Sequence, residues 1–148
     1  MRIPFFNRRE RIPTLYQKGI ENEFALNARA QYYLVALFMG EGKPCQYLPF
    51  IFEQLYIVYN LAMFAGSHEV SDEARKALRM LRSEFEEIQC SGLYVMNHGT
   101  ATVCSKALQE GQKVLQELPR SEFKLAYVQA KLITDKPENI LKYLGLLS

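Results

Sequence analysis

Residues 47–66 read YLPFIFEQLYIVYNLAMFAG, and Glu53 is the one charge among them. A helix that is apolar all round lies either at the centre of a protein core or in a membrane. Length does not separate the two, since a spanning helix needs about 20 apolar residues. Composition does. Pro49, Glu53, Gln54 and Asn60 interrupt the run, tyrosine hydroxyls add polar ends, and the preceding segment carries Glu23, Asn27 and Arg29. A centrally buried helix over 46–65 is therefore expected, and membrane insertion is not. Pro49 is placed in its first turn, where a missing N–H costs little.

A buried helix needs amphipathic companions, and the flanking sequence supplies them. Upstream, a helix is expected to end at Met39 and to start at Thr14, whose "TLYQ" forms a capping box, or at Glu21, because Gly19 weakens the first turns. Phe24, Ala28, Tyr32, Val35 and Met39 form one stripe expected to face the core, widened by Leu26, Tyr33, Leu34, Leu37 and Phe38. "GEGKP" at 40–44 ends that helix, with glycine for the cap and proline against continuation.

Downstream, Ser71 reads as an N-cap followed by Asp72 and Glu73 at the positive end of a helix dipole. Ala74, Leu78, Leu81, Phe85 and Ile88 recur every three or four residues, an apolar seam on a charged helix that Gly92 closes. Asp72–Lys76 and Arg82–Glu86 are spaced for ion pairs on the wet face, where Glu84, Glu86 and Glu87 are also placed. Leu93, Met96, Thr100, Val103, Ala107, Gly111, Val114 and Leu118 continue as another stripe. Its small members Thr100, Ala107 and Gly111 allow a neighbouring helix to come close. Asn97, His98 and Gly99 stay in phase with it, either inside one helix or as a turn that restarts the chain with Thr100 as cap. Ser121 and Asp135 cap two further helices ending near 133 and 147.

These elements predict an all-α fold: a compact up-and-down bundle of five to six helices around a central, almost uncharged second helix. The 148 residues, 49% of them hydrophobic, suit one domain over 14–148. Residues 1–13, with two prolines and four arginines, are expected to form a basic extended arm. The first 20 residues hold five basic side chains against Glu10, a local +4, so the rest carries −2 of the total +2. Three cysteines without CxxC spacing fit a reducing compartment, and the N-terminus lacks the apolar core of a secretory signal, so a cytoplasmic location is expected.

Residues 88–106, IQCSGLYVMNHGTATVCSK, hold the residue types most suggestive of chemistry. As a metal site, Cys90, His98 and Cys104 match no standard ligand spacing and lack a fourth ligand. As a thiol site, Cys104 and His98 diverge if one helix carries both, since six residues amount to about 240° around the axis. A turn between two helices is the favoured reading of Asn97–Gly99. The chain carries neither inward Glu-x-x-His pairs for a di-iron bundle nor a Walker loop. No catalytic residue, metal or cofactor is therefore expected.

The expectation that remains is a non-enzymatic adaptor or regulator acting through a protein partner. A homodimer is expected through Tyr32, Tyr33, Tyr47, Tyr56 and Tyr59, because tyrosine is enriched at interfaces. The alternative is a nucleic-acid-associated regulator using Arg8, Arg9 and Arg11 of the arm with Arg75, Lys76, Arg79 and Arg82. A thiol enzyme or metal site at Cys90, His98 and Cys104 is the second alternative.

Overall fold

The computed structural model describes residues 15–90, 93–117, 124, 125 and 128, with side chains over 23–88 and 93–117 and at 124, 125 and 128. The described residues are all-α, with four helices: α1 (Leu15–Phe38), α2 (Pro44–Ala65), α3 (His68–Cys90) and α4 (His98–Glu117). The arm at 1–13 and nearly all of the segments expected to form a fifth and a sixth helix lie outside the described residues.

α2 is the hub. It packs against α1, α3 and α4, and its Leu48, Ile51, Phe52, Leu55 and Leu61 are buried. Each such side chain contributes about 1.5–3 kcal/mol relative to exposure. α2 is long and apolar enough to cross a bilayer, and half of its most apolar window is buried inside the protein. α4 is the second hub, touching α1, α2 and α3, while α1 and α3 flank the α2–α4 pair with little or no direct contact.

The helix boundaries follow local chemistry. α1 closes on Gly40 in the left-handed region (φ 75°), with Glu41 N–H bonded to Ala36 O (2.8 Å) and Gly40 N–H to Leu37 O (3.2 Å). α2 closes in the same way on Gly66 (φ 71°). α2 begins at Pro44 rather than at 46, so Pro49 stands inside the helix and not in its first turn. α3 also begins earlier than expected. His68 is its first residue, and Ser71 is no cap: it is buried inside the first turns and its hydroxyl donates back to His68 O (3.0 Å).

The α3 seam lies where its spacing placed it. Ala74, Leu78 and Leu81 are buried, Phe85 and Ile88 pack against the core, and Arg82 pairs with Glu86 at 3.8 Å on the outside. The α4 stripe is buried at Thr100, Ala107, Gly111 and Val114, while Leu93 is exposed and Leu118 lies outside the described residues.

The inner face of α1 differs from the expected one. The buried positions are Glu23, Asn27, Ala30, Leu34 and Leu37, whereas Ala28, Tyr32, Val35 and Met39 face outward. Both faces of this helix are apolar, so periodicity alone does not choose between them. The choice rests on hydrogen bonds to α4. Asn27 Nδ2 donates to Leu108 O (3.0 Å), Gln31 Nε2 donates to Ser105 O (2.8 Å), and Ser105 Oγ donates to Gln31 Oε1 (2.7 Å). With Phe38 against His98, these contacts run in opposite directions along the two helices, so α1 and α4 are antiparallel.

Gly111 sets the spacing of the two hubs. A Cβ placed there would lie 2.7 Å from Cγ1 and 3.1 Å from Cβ of Val58, and closer still to Cγ2. Valine is stiff at χ1 and cannot swing away. Gly111→Ala is expected to lower stability by about 1–2 kcal/mol, since overpacking outweighs the gain in helix propensity. Val58→Ala removes the obstructing methyls, so the double variant should be markedly more stable than the sum of the single effects. Urea unfolding of the four proteins measures this, and strict additivity would contradict the contact.

Candidate functional site

Residues 93–97 form the connection between α3 and α4, and Glu84 organises it. This glutamate was expected on the wet face of α3; it is 2% exposed. Its Oε2 accepts the Tyr94 hydroxyl, and its Oε1 accepts the Asn97 backbone N–H at 3.1 Å. Buried carboxylates need such donors. The connection is pinned from the other side as well, where Met96 N–H donates to Leu37 O (3.0 Å) at the end of α1 and the Met96 side chain is buried.

Asn97 then starts α4. Its Oδ1 accepts from Gly99 N–H (2.8 Å), and its carbonyl accepts from Ala101 N–H (3.0 Å). These are the bonds of an N-cap. Asn97 is thus the cap, in place of Thr100, which is buried one turn further on. The chain therefore restarts as a new helix at Asn97–Gly99, as the turn reading expects, with the cap at Asn97, and no single helix runs through from α3.

α4 carries both candidate reactive groups, and their six-residue spacing turns them to different sides of the helix, as expected for one helix. The exposed His98 ring packs edge-on to Phe38 of α1, with centroids 5.3 Å apart. Cys104 is fully buried on the opposite flank, its Sγ 3.9 Å from Ala77 O of α3. Burial, and then the nearby Glu84 carboxylate, raise the Cys104 pKa far above the ordinary thiol range. A nucleophile needs the thiolate, so the Cys104–His98 pairing fails in both geometry and ionisation. The Cys90 side chain lies outside the described residues. Among the described residues, no three His, Cys, Asp or Glu side chains converge as metal ligands.

The five tyrosines divide sharply. Tyr33 of α1 stacks on Tyr47 of α2 with centroids 3.9 Å apart and planes 5° from parallel, and it meets Phe50 edge-on at 5.3 Å. Tyr56 and Tyr59 are half-buried against the core of α2. Tyr33 and Tyr47 thus tie α1 to α2, while the ring contacts of Tyr56 with Phe52 and Tyr59 lie within α2. Tyr32 alone of the five is open, 68% exposed. Of the basic candidates, Arg8, Arg9 and Arg11 lie outside the described residues. Arg75, Lys76 and Arg79 are exposed on α3, and Arg75 and Arg79 each interact within the chain.

The feature that sequence reasoning missed is the outer face of α1. Val35 is 60% and Met39 62% exposed, in line with Tyr32 and the exposed Ala28. Arg29 is the only charged residue between Phe24 and Met39, and its guanidinium lies over the Phe50 ring at 5.8 Å, turned toward α2. Beside this stripe a groove of about 400 Å³ runs between α1 and α4. Val35 and Phe38 form its apolar wall, and Thr102, Lys106 and Gln109 form its polar wall over the Gln31–Ser105 pair. The signal is present in the sequence as the 28, 32, 35, 39 spacing, which periodicity by itself reads as a core face.

No family model, curated protein or solved structure matches this chain.

Two outcomes check the connection. Burial, the Glu84 hydrogen bond and the charges of Glu84 and Glu87 raise the Tyr94 pKa in the folded state. An unfolded tyrosine ionises near 10, so above about pH 10 the unfolded chain loses a proton that the folded chain keeps, and stability falls. Tyr94→Phe should cost about 1–3 kcal/mol at neutral pH by depriving Glu84 of a donor. It should also make the alkaline loss of stability shallower by about 1.4 kcal/mol per pH unit, read by urea unfolding between neutral and alkaline pH. Separately, iodoacetamide labelling followed by mass spectrometry should modify exposed Cys45 in the native protein. It should leave Cys104 unmodified until urea unfolds the chain; native reactivity at Cys104 would contradict its burial.

Proposed function

We propose that this protein is a small non-enzymatic helical adaptor or regulator that acts by protein–protein interaction, with the outer face of α1 as its docking surface. The observation that carries the reading is the charge-free apolar stripe of Ala28, Tyr32 and Val35 on α1, continued by Met39 at its C-terminal end, all exposed. Solvent-facing helices normally carry charge, as α3 does at Asp72, Arg75, Lys76, Arg79 and Glu86. A contiguous exposed apolar strip rimmed by polar residues marks an interaction site. The adjoining groove adds a concave wall where an inserted side chain gains contact area. Its partner is a protein element with an apolar face, most simply an amphipathic helix laid along α1.

A cytoplasmic setting fits the unpaired, exposed Cys45, which an oxidising compartment would leave prone to cross-linking. The proposed bundle has five to six helices, a reading supported by the caps and apolar spacing of the sequence at 121–133 and 135–147.

The test is capture of partners from host extract by wild-type and Val35→Glu baits, with Met63→Glu as a control at another exposed apolar residue. Wild type and Met63→Glu should retain the same partner and Val35→Glu should lose it, by at least about tenfold in yield. Equal retention by all three baits would sink the reading. A salt-dependent gel shift with nucleic acid, abolished by Arg75→Glu with Arg79→Glu, would favour the nucleic-acid alternative instead.

A further inference from the structure

Resting on that reading of the α1 face, the geometry points to a second copy of this chain as an occupant of the surface, paired antiparallel through α1 about a two-fold axis between Tyr32 and Val35. Three observations converge on this. First, the exposed positions 28, 32, 35 and 39 are spaced four, three and four, the spacing of a coiled-coil seam. Second, the stripe carries no charge, so bringing it against itself creates no like-charge repulsion. Arg29, the one cation on α1 between Phe24 and Met39, is turned over Phe50, and Lys106 of the groove's polar wall belongs to α4.

Third, the side chains are self-complementary in one direction only. Reversing a second α1 against the first sets Ala28 opposite the partner's Met39 and Tyr32 opposite the partner's Val35. Each layer then joins a small side chain to a large one, the arrangement that lets facing layers interdigitate. A parallel pairing would stack Tyr32 on the partner's Tyr32 and leave Ala28 facing the partner's Ala28.

The groove between α1 and α4 fits the same arrangement. Val35 lines it together with Phe38, His98, Thr102, Lys106 and Gln109. The partner's Tyr32, sitting opposite Val35, enters this groove with its ring on the apolar wall and its hydroxyl toward the polar wall. Tyrosine suits such a place because it joins an apolar body to a polar tip. The symmetry repeats the insertion on the other side, so the interface is isologous. It is short, roughly 16 Å from Ala28 to Met39, which suits reversible association with Kd on the order of 10 µM.

Sedimentation of the purified chain across ~1–200 µM spans that range. It should show a monomer–dimer equilibrium in wild type and Met63→Glu, weakened at least about tenfold in Val35→Glu and in Tyr32→Ala. Both replaced residues are exposed, and unchanged thermal unfolding of the dilute variants would show that the fold is intact. Orientation is read in a Cys45→Ser, Cys90→Ser background, with Ala28→Cys and Met39→Cys placed on chains of different length. The mixed disulfide should predominate under mild oxidant. Two copies of either single variant hold their new thiols about 16 Å apart along the axis, beyond the roughly 7 Å Cα separation a disulfide spans.

A strict monomer throughout, with partner capture still lost in Val35→Glu, overturns self-pairing and leaves the docking-surface reading standing. A dimer indifferent to both Val35→Glu and Tyr32→Ala overturns this surface as its seat. Predominant Ala28→Cys homodisulfide overturns the antiparallel direction.

Discussion

The contact between Gly111 and Val58 sets how closely α2 and α4 approach, and the remaining helices are arranged around that pair. A glycine at the contact removes the side chain that would hold the axes apart, so separation falls to what the valine methyls allow. Close approach lets these two helices serve as a shared core, with α1 and α3 packed on opposite flanks. Large side chains of α2, such as Phe52 and Leu55, then fill the space on the other sides of the same helix.

The two flanks are held by different physics. α3 docks through an apolar seam, the ordinary hydrophobic solution. α1 docks on α4 partly through amides: Asn27 and Gln31 bond backbone carbonyls of α4, and Ser105 returns a hydroxyl to Gln31. Such bonds contribute little net energy each but cost much if left unmade, so they fix which face of α1 turns inward. The Glu84 carboxylate does the equivalent work at the top of the bundle. By holding Tyr94 and Asn97 it positions the start of α4, which sends Cys104 into the core and His98 toward α1. The groove beside Val35 follows from these two polar anchors.

An all-apolar inner face would have buried the Tyr32–Val35 stripe and left Asn27 and Gln31 in water. The polar ladder reverses that outcome and leaves a charge-free surface exposed on a well-packed helix. The aromatic lock of Tyr33 on Tyr47 and Phe50 keeps this helix fixed to α2. For the docking role proposed above, a face held this way needs no ordering on contact, which lowers the entropic cost of association.

Helical class, the burial of α2, the Gly40 and Pro44 boundary, the α3 seam and the small residues of α4 were all legible in the sequence. Each depends on local rules: side-chain period, the φ freedom of glycine, the missing N–H of proline. Tertiary structure alone decided three things. It chose the inner face of α1, because periodicity cannot rank two apolar faces and the deciding carbonyl of Leu108 lies 81 residues from Asn27. It buried Glu84, whose donors come from a connection with no regular period. It stacked Tyr33 of α1 on Tyr47 of α2 and left Tyr32 as the open member. The physical reason is common to all three. A residue's period reports how it relates to its own helix, whereas the partner that satisfies a buried polar group is supplied by another part of the chain.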